Sequence, residues 1–157
     1  MKTTDKFVFF WGYKDFMSNF YNKPFYYKGK MIACSEVGFM LEKAIQFNDE
    51  VIIKELATVT KAKIAKDLGG KVKNYDDAVW KAVRFDRMKE VLAEKFKDPE
   101  LRKQLLATGD RILVEASPVD NIWGVNMDEN HPDIETPSKW QGQNLLGIAL
   151  MEIRKNL

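Results

Sequence analysis

A single cysteine, Cys34, stands among the 157 residues, so no intrachain disulfide can brace the fold this chain adopts. Stability has to come from buried apolar surface. Hydrophobic residues make up 45% of the chain. That is enough for one well-buried core, in a length too short for two ordinary domains. The lone thiol also fits a reducing cytoplasm.

Charge narrows the function. Charged residues make up 31% of the chain, yet the net charge is only +2. A protein that grips a nucleic-acid backbone mainly by charge carries Lys and Arg in clear excess; a nucleotide or a modified base remains open as a ligand. One histidine, His131, and one cysteine leave too few ligands for a zinc site built on Cys or His clusters, so no metal is expected. His131 lies in a polar, proline-flanked stretch and reads as a solvated loop residue. The apolar run near the start, about five residues, is shorter than a signal h-region. No window approaches the roughly 18 apolar residues that span a bilayer. The expectation is a soluble cytoplasmic protein with no membrane contact and no cofactor.

Periodicity and capping residues predict the elements. Lys6 to Trp11 reads as an opening strand, dense in aromatic and β-branched residues. PFYYKGKMIAC reads as a hairpin turning at Lys28-Gly29-Lys30. Ser35 is expected to cap a helix over Glu36–Phe47, with Glu36 favourably placed in the first turn. A second helix should begin near Asn48-Asp49, and a third, capped by Thr60, should stop at Gly69-Gly70. The longest should run from Asp76 or Asp77 to Phe96, and Asp98-Pro99 should start another. Arg111 to Ala116 alternates as a strand does; an Asn-, Asp- and Pro-rich loop follows from Asp128 to Lys139. The last helix is placed at Gln143–Leu157. The whole reads as a mainly helical α+β single domain, residues 1–157, with a small β-sheet.

Four constellations can carry chemistry. Glu36, Met40 and Lys43 are spaced i, i+4, i+7 and so share one helix face; the same spacing suits a helix-dipole acid and a solvated lysine. In Glu115-Ala-Ser-Pro-Val-Asp-Asn-Ile-Trp-Gly124, Asp120 can face a developing cation and Trp123 can stack on a ring. An Asx turn and a core tryptophan explain those residues equally well. Trp80, Arg84 and Met88 form a stripe in which arginine can hold a phosphate, or simply lie at the edge of a core face. Trp140-Gln-Gly-Gln-Asn-Leu-Leu-Gly147 suits an anion or amide site at a helix start, or Asn144 as a plain N-cap.

Taken together, SNFY at Ser18–Tyr21, the helix from Ser35 to Lys43, the Trp80-Arg84-Met88 stripe, LLATGD at Leu105–Asp110, EASPxDxIWG and WxGxNLLGxALMEIR resemble the NADAR (YbiA-like) family. The resemblance runs from about Phe7 to the C-terminus. It implies an N-glycosidase acting on a ribose joined at C1′ to nitrogen. Family members are described as acting on ribosylated pyrimidine intermediates of riboflavin synthesis, others as removing ADP-ribose from guanine. By resemblance, Glu36, Asp120 and Trp123 are catalytic and Lys43 is a covalent nucleophile. Asn19, Phe20, Trp80, Arg84, Gly124, Trp140 and Asn144 bind substrate. The partner implied is a small ribosylated molecule, with ADP-ribosylated nucleic acid as the alternative; a non-catalytic nucleotide-binding module is the other class. Many relatives carry His directly after the helix glutamate and Gln four residues after it. Here those positions are Val37 and Met40, and the more apolar surround is expected to raise the Glu36 pKa by desolvation.

Overall fold

A computed structural model describes all residues, Met1–Leu157. The chain gathers into two compact units, Met1–Ser18 with Pro99–Leu157, and Asn19–Asp98.

The unit made from both chain ends holds a three-stranded sheet in the order β1 (Lys2–Thr3), β2 (Phe7–Phe10), β5 (Ile112–Glu115). Every residue of β2 is buried, as befits an unbroken apolar run in the middle of a sheet. It pairs antiparallel with β1 and parallel with β5, Phe7 opposite Ile112 and Phe10 opposite Glu115. Phe7, Phe9, Val114, Ala116, Val125, Met127 and Ile134 form its core. α5 (Pro99–Ala107) precedes β5, and α6 (Leu145–Lys155) packs against it. The last helix thus starts two residues later than its pattern suggested. β1 escaped the sequence reading, because Lys-Thr carries no strand pattern at two residues.

The middle unit is a helical cluster with one hairpin. β3 (Phe25–Tyr27) and β4 (Lys30–Ile32) pair with Tyr27 opposite Lys30. That leaves a two-residue turn, Lys28-Gly29, with φ of +48° and +79°, the type I′ pattern that matches strand twist. α1 (Ser35–Gln46) packs against α2 (Glu50–Leu56), α3 (Ala62–Gly69) and α4 (Asp77–Lys95). The Met40 side chain fills the space a Cβ at Gly69 would need, so α3 meets α1 where it has no side chain. Two of the predicted helix starts carry a side-chain cap: Asp49 Oδ1 accepts from the Ile52 amide, and Asp76 Oδ1 from the Val79 amide. Two do not. Thr60 lies outside α3, whose N-cap is Lys61. Ser35 is already helical behind N-cap Cys34, its hydroxyl drawn away by a buried partner, Asn19.

Two buried charges shape this unit. Glu42 accepts from the Tyr27 hydroxyl and pairs with the Lys28 ammonium and, at 3.9 Å, with Arg87. It ties the hairpin to α1 and α4. Burial and the bond to Glu42 hold the Tyr27 hydroxyl well above its usual range. Lys95, 1% exposed, lies over the Tyr21 and Phe96 rings. Desolvation pulls its ammonium down to about 7, with the nearby Cys34 thiol acting in the opposite direction. No helix is long and apolar enough to cross a membrane.

The depressed Lys95 pKa fixes the sign of one pH effect. The folded state binds this proton more weakly than the unfolded chain, whose lysine titrates near 10.4. Below about 7 both states are protonated, and the buried ammonium costs its full penalty. Stability therefore rises with pH from about 7 upward. In thermal melts from pH 6.5 to 9, Lys95→Met is expected to raise the melting temperature most at pH 6.5. It should also flatten the pH dependence; an unchanged slope would reject this role.

Candidate functional site

The sequence-selected residues fall into two groups, one in each unit. In the middle unit they converge on α1. Glu36 is 7% exposed in the first turn, and its amide donates to the Asn19 carbonyl at 3.1 Å. Asn19 also accepts from the Ser35 hydroxyl at 2.9 Å through Oδ1, and its Nδ2 donates to Met88 Sδ at 3.6 Å. Both ends of this carboxamide are thus occupied within the protein. Asn19 fixes the start of α1, and with it Glu36. Phe20, beside it, is half-buried.

Val37 and Met40 are both buried, so they lie in the interior around Glu36's own helix. Lys43 is half-buried, which sets aside the reading of it as a solvated surface residue. Its Nζ sits 4.6 Å above the Tyr75 ring. Desolvation lowers its pKa, while the charge of Glu36 acts to raise it. One helix therefore carries a buried carboxylate and, two turns on, a partly desolvated amine that feels it.

Aromatic rings wall this helix. Trp80 is buried, with its ring 5.2 Å from Phe39 and 6.5 Å from Phe47. Phe47 in turn meets Tyr75 edge-on at 5.4 Å. Trp80 and Met88 form a core stripe and Arg84 is half-buried between them along α4. Arg84's charge reaches Asp77, whose carboxyl is held low first by the Tyr75 hydroxyl, then by Lys81, and least by Arg84. Sequence reasoning missed Tyr75, Phe39 and Phe47. Phe39 and Phe47 are spaced i−4 and i+4 from Lys43, a signal that was legible; Tyr75 sits in a loop and left none.

In the other unit, Asp120 Oδ1 accepts from the amides of Ile122 and Trp123, both at 2.9 Å. This is the Asx turn that sequence offered as the alternative. It orients the half-buried Trp123. Gly124 is needed for closeness: a Cβ there would lie 2.9 Å from the Glu115 carbonyl oxygen. Trp140 packs edge-on against Phe7, and its Nε1 donates to the Ile134 carbonyl at 2.8 Å.

Asn144 differs most from its sequence reading. It holds the N-cap position of α6 at φ +54° but makes no capping bond. Its Oδ1 accepts from the Glu115 amide at 3.0 Å, and its Nδ2 donates to the Leu113 carbonyl at 2.9 Å. The carboxamide thus presents to β5 the donor and acceptor that a neighbouring strand would supply, and closes that edge. α6 can come this close because a Cβ at Gly147 would overlap the Leu113 carbonyl oxygen; one at Gly142 would overlap that of Gly124. The WxGxNLLG segment is therefore explained by backbone packing, and Asn144's side chain is engaged with β5 rather than offered to a substrate.

A family model described as the NADAR domain matches residues 9–157. The chain is 35% identical to N-glycosidase R617 of Acanthamoeba polyphaga mimivirus, over 97% of this chain and 96% of that protein. It is 34% identical to N-glycosidase YbiA of Escherichia coli (strain K12), over 92% and 82%. The NMR structure of E. coli YbiA superposes with a TM-score of 0.78 at 30% identity, covering 99% of this chain and 86% of that one.

Asn144→Ala leaves a buried N–H and a buried C=O of β5 unpaired, each costing about 1–3 kcal/mol. Urea unfolding is expected to show a loss of about 2–6 kcal/mol. A loss within 0.5 kcal/mol, the scale of ordinary surface changes, would reject the edge-closing role.

Proposed function

The chain belongs to the NADAR domain family, and we propose that it hydrolyses the C1′–N bond between a ribose phosphate and a heterocyclic base. It is an enzyme of the hydrolase class that acts on N-glycosyl compounds. The substrate class proposed is ribosylated pyrimidine intermediates of riboflavin synthesis. The observation that carries this reading is the pairing, on α1, of buried Glu36 with the partly desolvated amine of Lys43 among aromatic rings.

Cleavage develops positive charge at C1′ and O4′ and negative charge on the departing base. A carboxylate near the sugar stabilises the first, and a protonated acid near the base helps the second. Glu36 is assigned the proton transfer, as the buried carboxyl on the helix that also carries Lys43. Asp120 is assigned to the sugar or to orienting water, through the carboxylate oxygen other than the one its turn uses. Trp123, oriented by that turn, supplies a flat face for the base. Arg84 suits the 5′-phosphate.

Lys43 offers a covalent route. A proton reaches O4′, the C1′–O4′ bond breaks with its electron pair on oxygen, and the base nitrogen's lone pair forms C1′=N. Neutral Lys43 adds its lone pair to C1′, and the base amine departs with a proton from Nζ, leaving a Lys43–C1′ iminium. Water then adds at C1′ and lysine leaves. One water is consumed per bond cleaved.

A second reading, removal of ADP-ribose from guanine bases, uses the same bond. The net charge of +2 favours the small metabolite, since a nucleic-acid substrate calls for a basic approach. Incubation with a ribosylaminopyrimidine phosphate and, separately, with ADP-ribosylated guanosine distinguishes them by the sugar phosphate or ADP-ribose released. Release from the pyrimidine is expected to dominate. Binding of either without release would instead identify a nucleotide-sensing module. Borohydride added during turnover should trap an adduct on Lys43; none would exclude the imine.

Glu36→Gln removes the proton and should lower turnover by roughly 10²-fold or more. Asp120→Asn keeps an oxygen acceptor for the two amides while removing the charge, so the fold should persist as turnover falls. Near-normal rates in either folded variant would withdraw that residue's role.

A further inference from the structure

Tyr75 precedes α4 and is used by neither carboxylate nor phosphate in the reaction as proposed. Its ring is held on two sides. Phe47 meets it edge-on, 5.4 Å between centroids. Its hydroxyl donates to Asp77 Oδ1 at 2.8 Å, and Asp77 Oδ2 pairs with Lys81 at 3.0 Å. The face left over lies under Lys43 Nζ at 4.6 Å. The negative quadrupole of an aromatic face attracts a cation, more strongly as water is withdrawn, and Lys43 is half-buried. Glu36 is the other group whose charge acts on Lys43; around Tyr75 itself stand Asp76, Asp77 and Arg84.

We propose that Tyr75 is a positioning residue for Lys43, its ring face holding the nitrogen at one place both as the ammonium and as the iminium. The inference rests on the Lys43 imine route. In that route the amine lone pair forms the Nζ–C1′ bond, the base leaves with the former C1′–N pair and a proton, and the positive charge resides on Nζ until water adds at C1′. The ring is therefore beside the charge in the resting protein and again in the intermediate. It sets where the lone pair points after deprotonation, and it favours the iminium over its precursors.

The experiment uses the full chain with 13C-labelled lysine, the Lys43 Cε resonance being assigned by its loss in Lys43→Arg. That resonance is titrated in the wild type, Tyr75→Phe and Tyr75→Leu, and borohydride trapping with a ribosylaminopyrimidine phosphate is run on all three. Phenylalanine keeps the face and loses only the bond to Asp77; it should match the wild type in both measurements. Leucine keeps bulk and loses the face. Its Lys43 should titrate about half a pH unit lower, and its trapped adduct should fall about 2- to 5-fold. The two effects together are the expected mark of the ring, because more free amine would by itself raise trapping. A wild type that forms adduct while the leucine variant leaves titration and trapping unchanged overturns this proposal alone. So does a phenylalanine variant that behaves like leucine. A wild type that forms no adduct overturns the imine route and, with it, this role for Tyr75.

Discussion

Burial of α1 on nearly every side governs what its polar groups can contact. Nine of its twelve residues are buried, and three of those nine are polar or charged, Ser35, Glu36 and Glu42. An uncompensated polar group in such a place costs several kcal/mol, so what each contacts is decided by the fold. Ser35 turns to Asn19. Glu42 is saturated by the hairpin tyrosine and lysine and by Arg87. The amide of Glu36 is held by the Asn19 carbonyl. Two acids on one helix thus have different surroundings: Glu42 is tied into a network of cations and a phenol, which leaves it structural. Glu36 lies one turn from Met40 and beside Val37, and its charge acts on Lys43 two turns on.

The unit built from the two chain ends meets a different constraint, a parallel pair of strands more than a hundred residues apart in sequence that leaves β5 with an open edge. An open edge is a site for unwanted pairing. Here a single carboxamide, Asn144, supplies the missing strand's donor and acceptor, and glycines at 142 and 147 let the backbones approach. A sequence motif can thus be specific for a family because of packing. The motif around Asp120 meets a local demand: its carboxylate holds the turn that orients Trp123.

Strong local signals read correctly. Asp49 and Asp76 cap their helices, Pro99 opens α5, and the Lys28-Gly29 turn joins the hairpin, because each depends only on bonds between neighbours. Ser35 and Thr60 failed as caps. A serine hydroxyl has several acceptors within reach once the chain folds, and the buried one won. Asn144 failed for the same reason, its carboxamide reaching a strand 29 to 31 positions back.

The sequence by itself determined most of the elements, the absence of a disulfide framework and, through its motifs, the family. Those follow from local propensity, residue counts and segment order. Only the tertiary structure decided which polar groups remain available for chemistry. Lys43 proved half-buried above Tyr75 rather than solvated, Asn19 and Asn144 proved to be internal brackets, and Lys95 proved to be a buried amine that no pattern marked. Desolvation and hydrogen-bond partnership depend on what other segments bring to a side chain. No spacing along one helix contains that information.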